Sequence, residues 1–106
     1  MISDVARITV KISSGGTTSD TADLGGYALA GIQLPSAFTG TAVSFQASYD
    51  GATWGTVTID GAADSYLVSP SAYVPVFMDD YRMRYLRVVS NAAEAGERDI
   101  VLHLAR

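Results

Sequence analysis

Short segments in which apolar and polar residues alternate constrain the fold of this chain more than any other feature. Near the start, Ile8, Val10 and Ile12 alternate with polar residues, which predicts a strand with one buried face over residues 7–12. Comparable segments predict strands over 27–34, 43–49, 54–59, 65–68, 73–77, 84–90 and 99–104. Turns rich in glycine, serine and aspartate separate them, so the sequence predicts an all-β fold of about eight antiparallel strands.

The length of 106 residues is enough for a single β-sandwich domain, residues 1–106, with a modest core. Eight strands fit a jelly-roll-like sandwich, while an immunoglobulin-like topology demands the same alternation and stays open. Residues 1–6 are expected to form a flexible N-terminal arm. Good helix formers within 91–97 allow one helical turn there, which is too short to be an independent helix.

The composition excludes several classes of function. Hydrophobic residues make up 48% of the chain, yet no segment is long enough to span a bilayer, so the surplus apolar surface predicts a subunit interface. The net charge of −4 would repel phosphate backbones and argues against nucleic acid as a partner. The chain has no cysteine, which excludes disulfides and thiolate sites, and its start lacks the pattern of a secretion signal. We therefore expect synthesis in the cytoplasm without export, and no membrane partner.

The residues that catalysis needs are scarce. His103 is the single histidine and lies in the last predicted strand, where a half-exposed position opposite the apolar face is expected. The neighbouring carboxylates Asp60 with Asp64, and Asp79 with Asp80, fall in predicted turns where water keeps them ionised. No nucleotide-binding, hydrolase or metal-binding motif occurs. The sequence therefore predicts a protein that is not an enzyme, with no catalytic residue, no metal site and no cofactor.

Three arginines allow two interpretations. Arg82 and Arg84 are expected on one face of a strand and Arg87 on the other. Ordinary ion pairs with Asp79, Asp80 or Asp99 are one interpretation. Contacts at a protein interface, where arginine is enriched, are the second.

Most of the chain resembles a known group of proteins. The resemblance is carried by the order of the segments Gly15–Asp20, Leu24–Gly26, Leu29–Pro35, Phe38–Thr41, Ser44–Ser48, Asp50-Gly51 and Arg84–Ser90. In this order they resemble small virion proteins of tailed bacteriophages, a group that includes head decoration or cement proteins. The resemblance implies a jelly-roll-like subunit bound to the major capsid protein in the virion. It further implies a homo-oligomer, commonly a trimer, with no catalytic residues to carry over.

Loops and the N-terminal arm are the expected contacts with the shell, because a rigid sandwich leaves its binding surfaces there. The expected partner-binding residues are Ile2, Val5, Gly15, Gly16, Thr17, Asp20, Asp79, Arg82 and Arg84. Whether the subunit would attach to the head or the tail stays open.

A second resemblance supports an alternative function. The segment from Ser44 to Trp54 is similar to a strand and turn of discoidin-like carbohydrate-binding modules, which would imply a glycan-binding module of a tail or fibre. Trp54 is expected to cap the core, whereas an exposed indole face would favour sugar binding.

Overall fold

A computed structural model describes residues 5–59, 61–76 and 84–105, and these residues form strands and loops with no helix. The eleven strands are β1 (Val5–Ile12), β2 (Ala22–Asp23), β3 (Ala28–Gln33), β4 (Ala42–Ser48), β5 (Gly55–Thr56), β6 (Thr58–Ile59), β7 (Ala62–Ala63), β8 (Tyr66–Leu67), β9 (Tyr73–Pro75), β10 (Tyr85–Ser90) and β11 (Arg98–Ala105). The predicted all-β fold with antiparallel strands is confirmed.

The strand pairs nest inside one another. The first strand pairs with the last, β1 with β11, and then β2 pairs with β10, β3 with β9 and β4 with β8, all antiparallel. The result is one sheet in the order β1-β11-β3-β9, here called sheet A, and a second in the order β2-β10-β4, here called sheet B, with β5 and β8 both on β4. A hairpin rolled up in this way is a jelly roll, which decides the topology that the sequence left open.

A small hairpin interrupts one edge strand of sheet B. β5 runs along β4, the amide of Val57 donates to the carbonyl of Phe45 at 2.9 Å, and β8 continues along the same edge further on. The hairpin β6–β7 leaves the sheet between these two pieces, and the amide of Asp64 closes its neck on the carbonyl of Val57 at 2.9 Å. β5 and β8 are therefore two parts of one strand, and the architecture reduces to eight jelly-roll strands with one inserted hairpin.

The core lies between the two sheets and is built by the alternating residues of their inner faces. Phe45 of β4, Val88 of β10 and Leu102 of β11 are completely buried. The buried apolar cluster comprises Val10, Ile12, Ala22, Leu24, Leu29, Ile32, Leu34, Phe38, Val43, Phe45, Val76, Leu86, Val88, Ile100, Leu102 and Leu104. Truncating a side chain such as Phe45 to alanine is expected to cost about 3–5 kcal/mol.

Three local expectations are wrong. Val5 and Ala6 belong to β1 and not to a flexible arm, since they pair with Ala105 and Leu104. No helical turn forms over 91–97, because the backbone there bonds to a neighbouring loop. Tyr49 does not continue the buried alternation and is 93% exposed, because β4 ends at Ser48.

The remaining strand predictions hold with small shifts in their bounds. The hairpin of β4 and β5 and the long strands β10 and β11 form where the alternation predicted them. Pro75 lies in β9, which is an edge strand of sheet A, as its missing amide hydrogen predicts. Phe77 lies outside the described residues.

Candidate functional site

Most of the predicted contact residues in the β1–β2 loop are held at one end of the sandwich, here called the loop end. Gly15 adopts a positive φ of 81°, which favours glycine, and its amide donates to the carbonyl of Glu94 at 2.7 Å. The amide of Ser90 donates to the carbonyl of Thr17 at 2.7 Å, and the amide of Glu94 donates to the carbonyl of Gly16 at 2.9 Å. The β1–β2 loop and the β10–β11 loop therefore form one connected surface.

Glu94 is the group that joins the loops of this end. Its residue is 1% exposed, and its carboxylate accepts hydrogen bonds from the amides of Thr39 and Gly40 at 2.8 and 3.0 Å. The hydroxyl of Ser90 and Nε of Arg98 each donate to the same carboxylate at 3.0 Å. Because the donors come from the β3–β4 loop, β10 and β11, a single side chain holds three parts of the chain together.

The charge of Glu94 is stabilised by these donors. Burial raises the pKa of the carboxyl, but the hydrogen bonds from Thr39, Ser90, Gly40 and Arg98 together outweigh burial and lower its pKa. Glu94 is therefore a carboxylate at neutral pH, and it accepts hydrogen bonds from Thr39, Gly40, Ser90 and Arg98. Sequence analysis did not identify it; the available signal was a glutamate between two alanines, in a chain that has only two glutamates.

Two further predicted contact residues that the structure describes, Arg84 and Val5, lie at the opposite end of the sandwich. Arg84 forms a bidentate pair with Asp23, with Nε–Oδ1 at 2.9 Å and Nη2–Oδ2 at 3.1 Å. The hydrogen bond from Arg84 lowers the pKa of Asp23. Val5 lies at this end too, because it starts β1 opposite Ala105. The predicted residues that the structure describes thus fall at two ends and do not form one site.

The partners predicted for the arginines were wrong where the structure describes them. Arg84 pairs with Asp23 and not with Asp99. Arg87 lies on the outer face of sheet B, where its guanidinium carbon is 3.7 Å from the ring centroid of Trp54. Ile2, Asp79 and Arg82, together with Asp60 and Asp80, lie outside the described residues.

Asp20 caps the end of β1. The amide of Lys11 donates to Oδ1 of Asp20 at 2.8 Å, and the amide of Asp20 donates to the carbonyl of Lys11 at 3.0 Å. Asp20 is exposed, and its role in the fold is to provide hydrogen-bond partners for the outward-facing amide and carbonyl of Lys11.

The outer face of sheet A carries a shallow groove. The groove has a volume of about 500 Å³ and is lined by Ala6, Arg7, Ala30, Tyr73, His103, Leu104 and Ala105. The ring of Tyr73 lies across Gly31, where any side chain would collide with it, and meets the ring of His103 edge-on at 5.1 Å between centroids. His103 is half-buried on the outer face, as predicted, and its Nε2 is buried without a hydrogen-bond partner in the described part of the chain.

Trp54 does not cap the core, which contradicts the sequence-based expectation. It is absent from the buried cluster and lies half-buried against Arg87 on the outer face of sheet B. Such a stack of guanidinium on indole is worth about 0.5–2 kcal/mol. The turn before it is fixed by Asp50, whose Oδ1 accepts from the amides of Ala52 and Thr53, each at 2.9 Å. Trp54 follows this turn directly, and its indole lies on the outer face of sheet B, away from the sandwich interior.

Among the described residues no group of three or more histidine, cysteine or carboxylate side chains is placed to hold a metal ion. The same residues include no helix long and apolar enough to cross a membrane. The contact described for His103 is the ring of Tyr73, which provides neither an orienting carboxylate nor a nucleophile.

Comparison with known proteins adds a likeness of fold. No protein-family model matches the chain, and no curated protein matches it. The crystal structure of the SPBc2 prophage-derived protein YomS is similar to the chain with a TM-score of 0.59 at 11% sequence identity. The likeness covers 100% of this chain and 98% of that one. The two chains therefore share the fold over their whole length.

Proposed function

We propose that this chain is a structural protein of a bacteriophage particle that decorates the capsid by binding the major capsid protein. The observation that carries the proposal is the whole-length likeness of its fold to a prophage-derived protein, with almost nothing left over in either chain. The order of motifs that resembles decoration proteins points to the same class. The proposal places the chain in the virion.

Binding energy alone is the proposed mechanism. A ligand that binds only the assembled shell shifts the equilibrium away from disassembly, and several linked copies strengthen the effect through their effective concentration. The loop end suits such a contact because Glu94 fixes three parts of the chain before any partner arrives. A pre-ordered surface loses less conformational entropy on binding than a mobile one.

The test is the number of copies in purified particles of the phage that encodes the chain, measured by quantitative mass spectrometry against the major capsid protein. Copies close in number to the shell subunits are expected. A few to a few dozen copies would move the protein to the tail or portal. Complete absence from the particle would refute a virion role.

A carbohydrate-binding module of a tail or fibre is the second candidate, because Trp54 lies outside the core. Its indole is half-buried on the outer face of sheet B with Arg87 stacked on it, and aromatic faces of this kind stack on sugar rings. The alternative predicts that oligosaccharides change the fluorescence of the chain's single tryptophan. An Arg87→Lys variant provides the control, since it alters the stack while keeping the charge. Unchanged tryptophan emission across a panel of glycans would exclude the carbohydrate-binding function.

A further inference from the structure

The outward edge of β1 is the one long sheet edge that the described residues leave without a paired strand. β1 has eight residues and pairs with β11 on one side. The other sheet edges are short: β9 has three residues including Pro75, and β2, β5 and β8 have two residues each. Short strands and proline are common ways of blocking edge-to-edge pairing, and the middle of β1 has neither.

Which backbone groups face outward follows from Lys11. Its amide and carbonyl both bond to Asp20 and therefore point away from β11. Successive residues of an antiparallel strand alternate between bonding the partner and pointing away, and the pairing of β1 with β11 continues without a shift from Val5 to Ile12. The amides and carbonyls of Arg7 and Thr9 consequently point outward as well.

The apolar side of β1 is uncovered at the same place. Val10 and Ile12 are 1% and 0% exposed, whereas Ala6 and Ile8 are only half-buried against the core. A strand added beside β1 would complete the backbone pairing and would also cover Ile8.

We infer that β1 pairs with β1 of a second copy of this chain, antiparallel and about a two-fold axis at Ile8. Registers centred on Arg7, Ile8 or Thr9 place both Arg7 and Thr9 opposite an outward-facing residue of the second β1. A centre at Arg7 places Arg7 opposite Arg7 of the second copy, and a centre at Thr9 places Arg7 opposite Lys11, so both bring cations together at a cost. The centre at Ile8 places Arg7 opposite Thr9 in both halves, with no like charges opposed.

This register also matches the side chains on the inner side. Ile8 of each copy meets Ile8 of the other, so the half-exposed apolar side chains bury one another. A two-fold contact uses the same surface on both copies and gives a dimer, whereas a closed trimer needs a head-to-tail contact between different surfaces. The inference does not depend on the proposed function, because it concerns the isolated protein.

Single cysteines test the register, since the natural chain has none. Under the proposed pairing, Cα atoms of Ile8 in the two copies lie about 4.5 Å apart, within the range of a disulfide. Ala6 occupies the same side of β1 and is half-buried as well, but its two copies lie roughly 13 Å apart. We expect Ile8→Cys to form a disulfide-linked dimer under mild oxidation and the matched control Ala6→Cys to stay unlinked.

A second measurement uses the outward amide of Thr9. Thr9→Pro removes a donor that points away from β11, and by symmetry it removes one hydrogen bond in each half of the interface. Thr9→Val keeps the amide and serves as control. Sedimentation should give twice the 11.1 kDa chain mass for the natural protein and for Thr9→Val. Thr9→Pro should raise the dissociation constant of the dimer about tenfold or more.

The outcomes separate cleanly. Dimer mass together with selective linkage at Ile8 supports the inference even if Thr9→Pro fails to fold. A monomer at every concentration, a trimer without linkage at Ile8, or equal linkage at Ala6 and Ile8 would overturn it. None of these results bears on the copy number in phage particles, so the two proposals fail independently.

Discussion

Two carboxylate–arginine pairs hold opposite ends of the sandwich, with nearly the same geometry and very different surroundings. Glu94 and Arg98 are joined at 3.0 Å with side chains 0% and 14% exposed, while Asp23 and Arg84 are joined at 2.9 Å with side chains 49% and 55% exposed. Water competes for the exposed pair and screens it, but it cannot replace the donors around the buried carboxylate. Burial, and not the distance between the charges, therefore decides which pair maintains the fold.

The largest effect is expected from Glu94→Ala. The substitution leaves the amides of Thr39 and Gly40 and the guanidinium of Arg98 without their acceptor, so we expect a loss of about 3–5 kcal/mol in the free energy of unfolding. Urea denaturation measures the free energy of unfolding. Glu97→Ala is the control, because Glu97 is an exposed carboxylate three residues further along the same loop. Equal losses in the two variants would show that the buried carboxylate stabilises the fold no more than an exposed one.

A smaller loss is expected from Gly40→Ala in the same loop end. The added Cβ would collide with Oγ of Ser90 and lie 3.0 Å from Oδ1 of Asn91, so the hydrogen bond from Ser90 to Glu94 must be displaced. Overpacking of this kind costs about 1–3 kcal/mol. Gly55→Ala is the matched control, because a Cβ there meets nothing within 4 Å. Denaturation midpoints that fall equally for both glycines would show that the loop end can relax.

The contribution of Glu94 to the free energy of unfolding is expected to depend on pH. The folded-state pKa of Glu94 lies below the ordinary value of 4.5, so its contribution to stability is complete above that pH and is lost as the pH falls towards the folded-state pKa. The difference in unfolding free energy between the natural protein and Glu94→Gln should therefore stay constant from about pH 7 to 5 and narrow below about 4.5. Asp23 and Asp50 have lowered pKa values in both proteins, so their effect cancels in the difference. A difference that widens in acid would contradict the assigned direction.

The smallest effect is expected from Arg84→Ala. Both members of its pair are exposed, so the denaturation midpoint should hardly move, and what change there is should vanish at high salt. Arg84→Lys controls for the loss of the bidentate geometry. A loss as large as that of Glu94→Ala would mean that the end of the sandwich at Arg84 is also held by a structural ion pair.

The sequence predicted those parts of the fold in which each strand shows its own pattern. β1, β4 and β11 alternate over seven or eight residues, so their buried faces could be recognised from the sequence. β2 has only two residues, and the edge strand formed by β5 and β8 is interrupted, so neither shows a full period. Only the pairing of distant strands distinguishes a jelly roll from an immunoglobulin-like sandwich, and pairing leaves no local signal.

The sites were harder to predict for a related reason. The alanines around Glu94 indicate helix, but the carboxylate gains donors from segments more than fifty residues away, and no local propensity includes such bonds. Trp54 was assigned to the core on the basis of its size, yet the turn that Asp50 fixes delivers it to the outer face against Arg87.

The nesting of first strand with last has a consequence for synthesis. Val5 finds its partner Ala105 only after residues 6–104 have been made, and most of the other pairs also join distant segments. Contacts of such long sequence separation slow folding, because the entropy of closing the chain is lost before the contacts form. Until β11 has been synthesised, both edges of β1 are unpaired. Several nascent chains on one messenger RNA would bring copies of β1 close together at this stage.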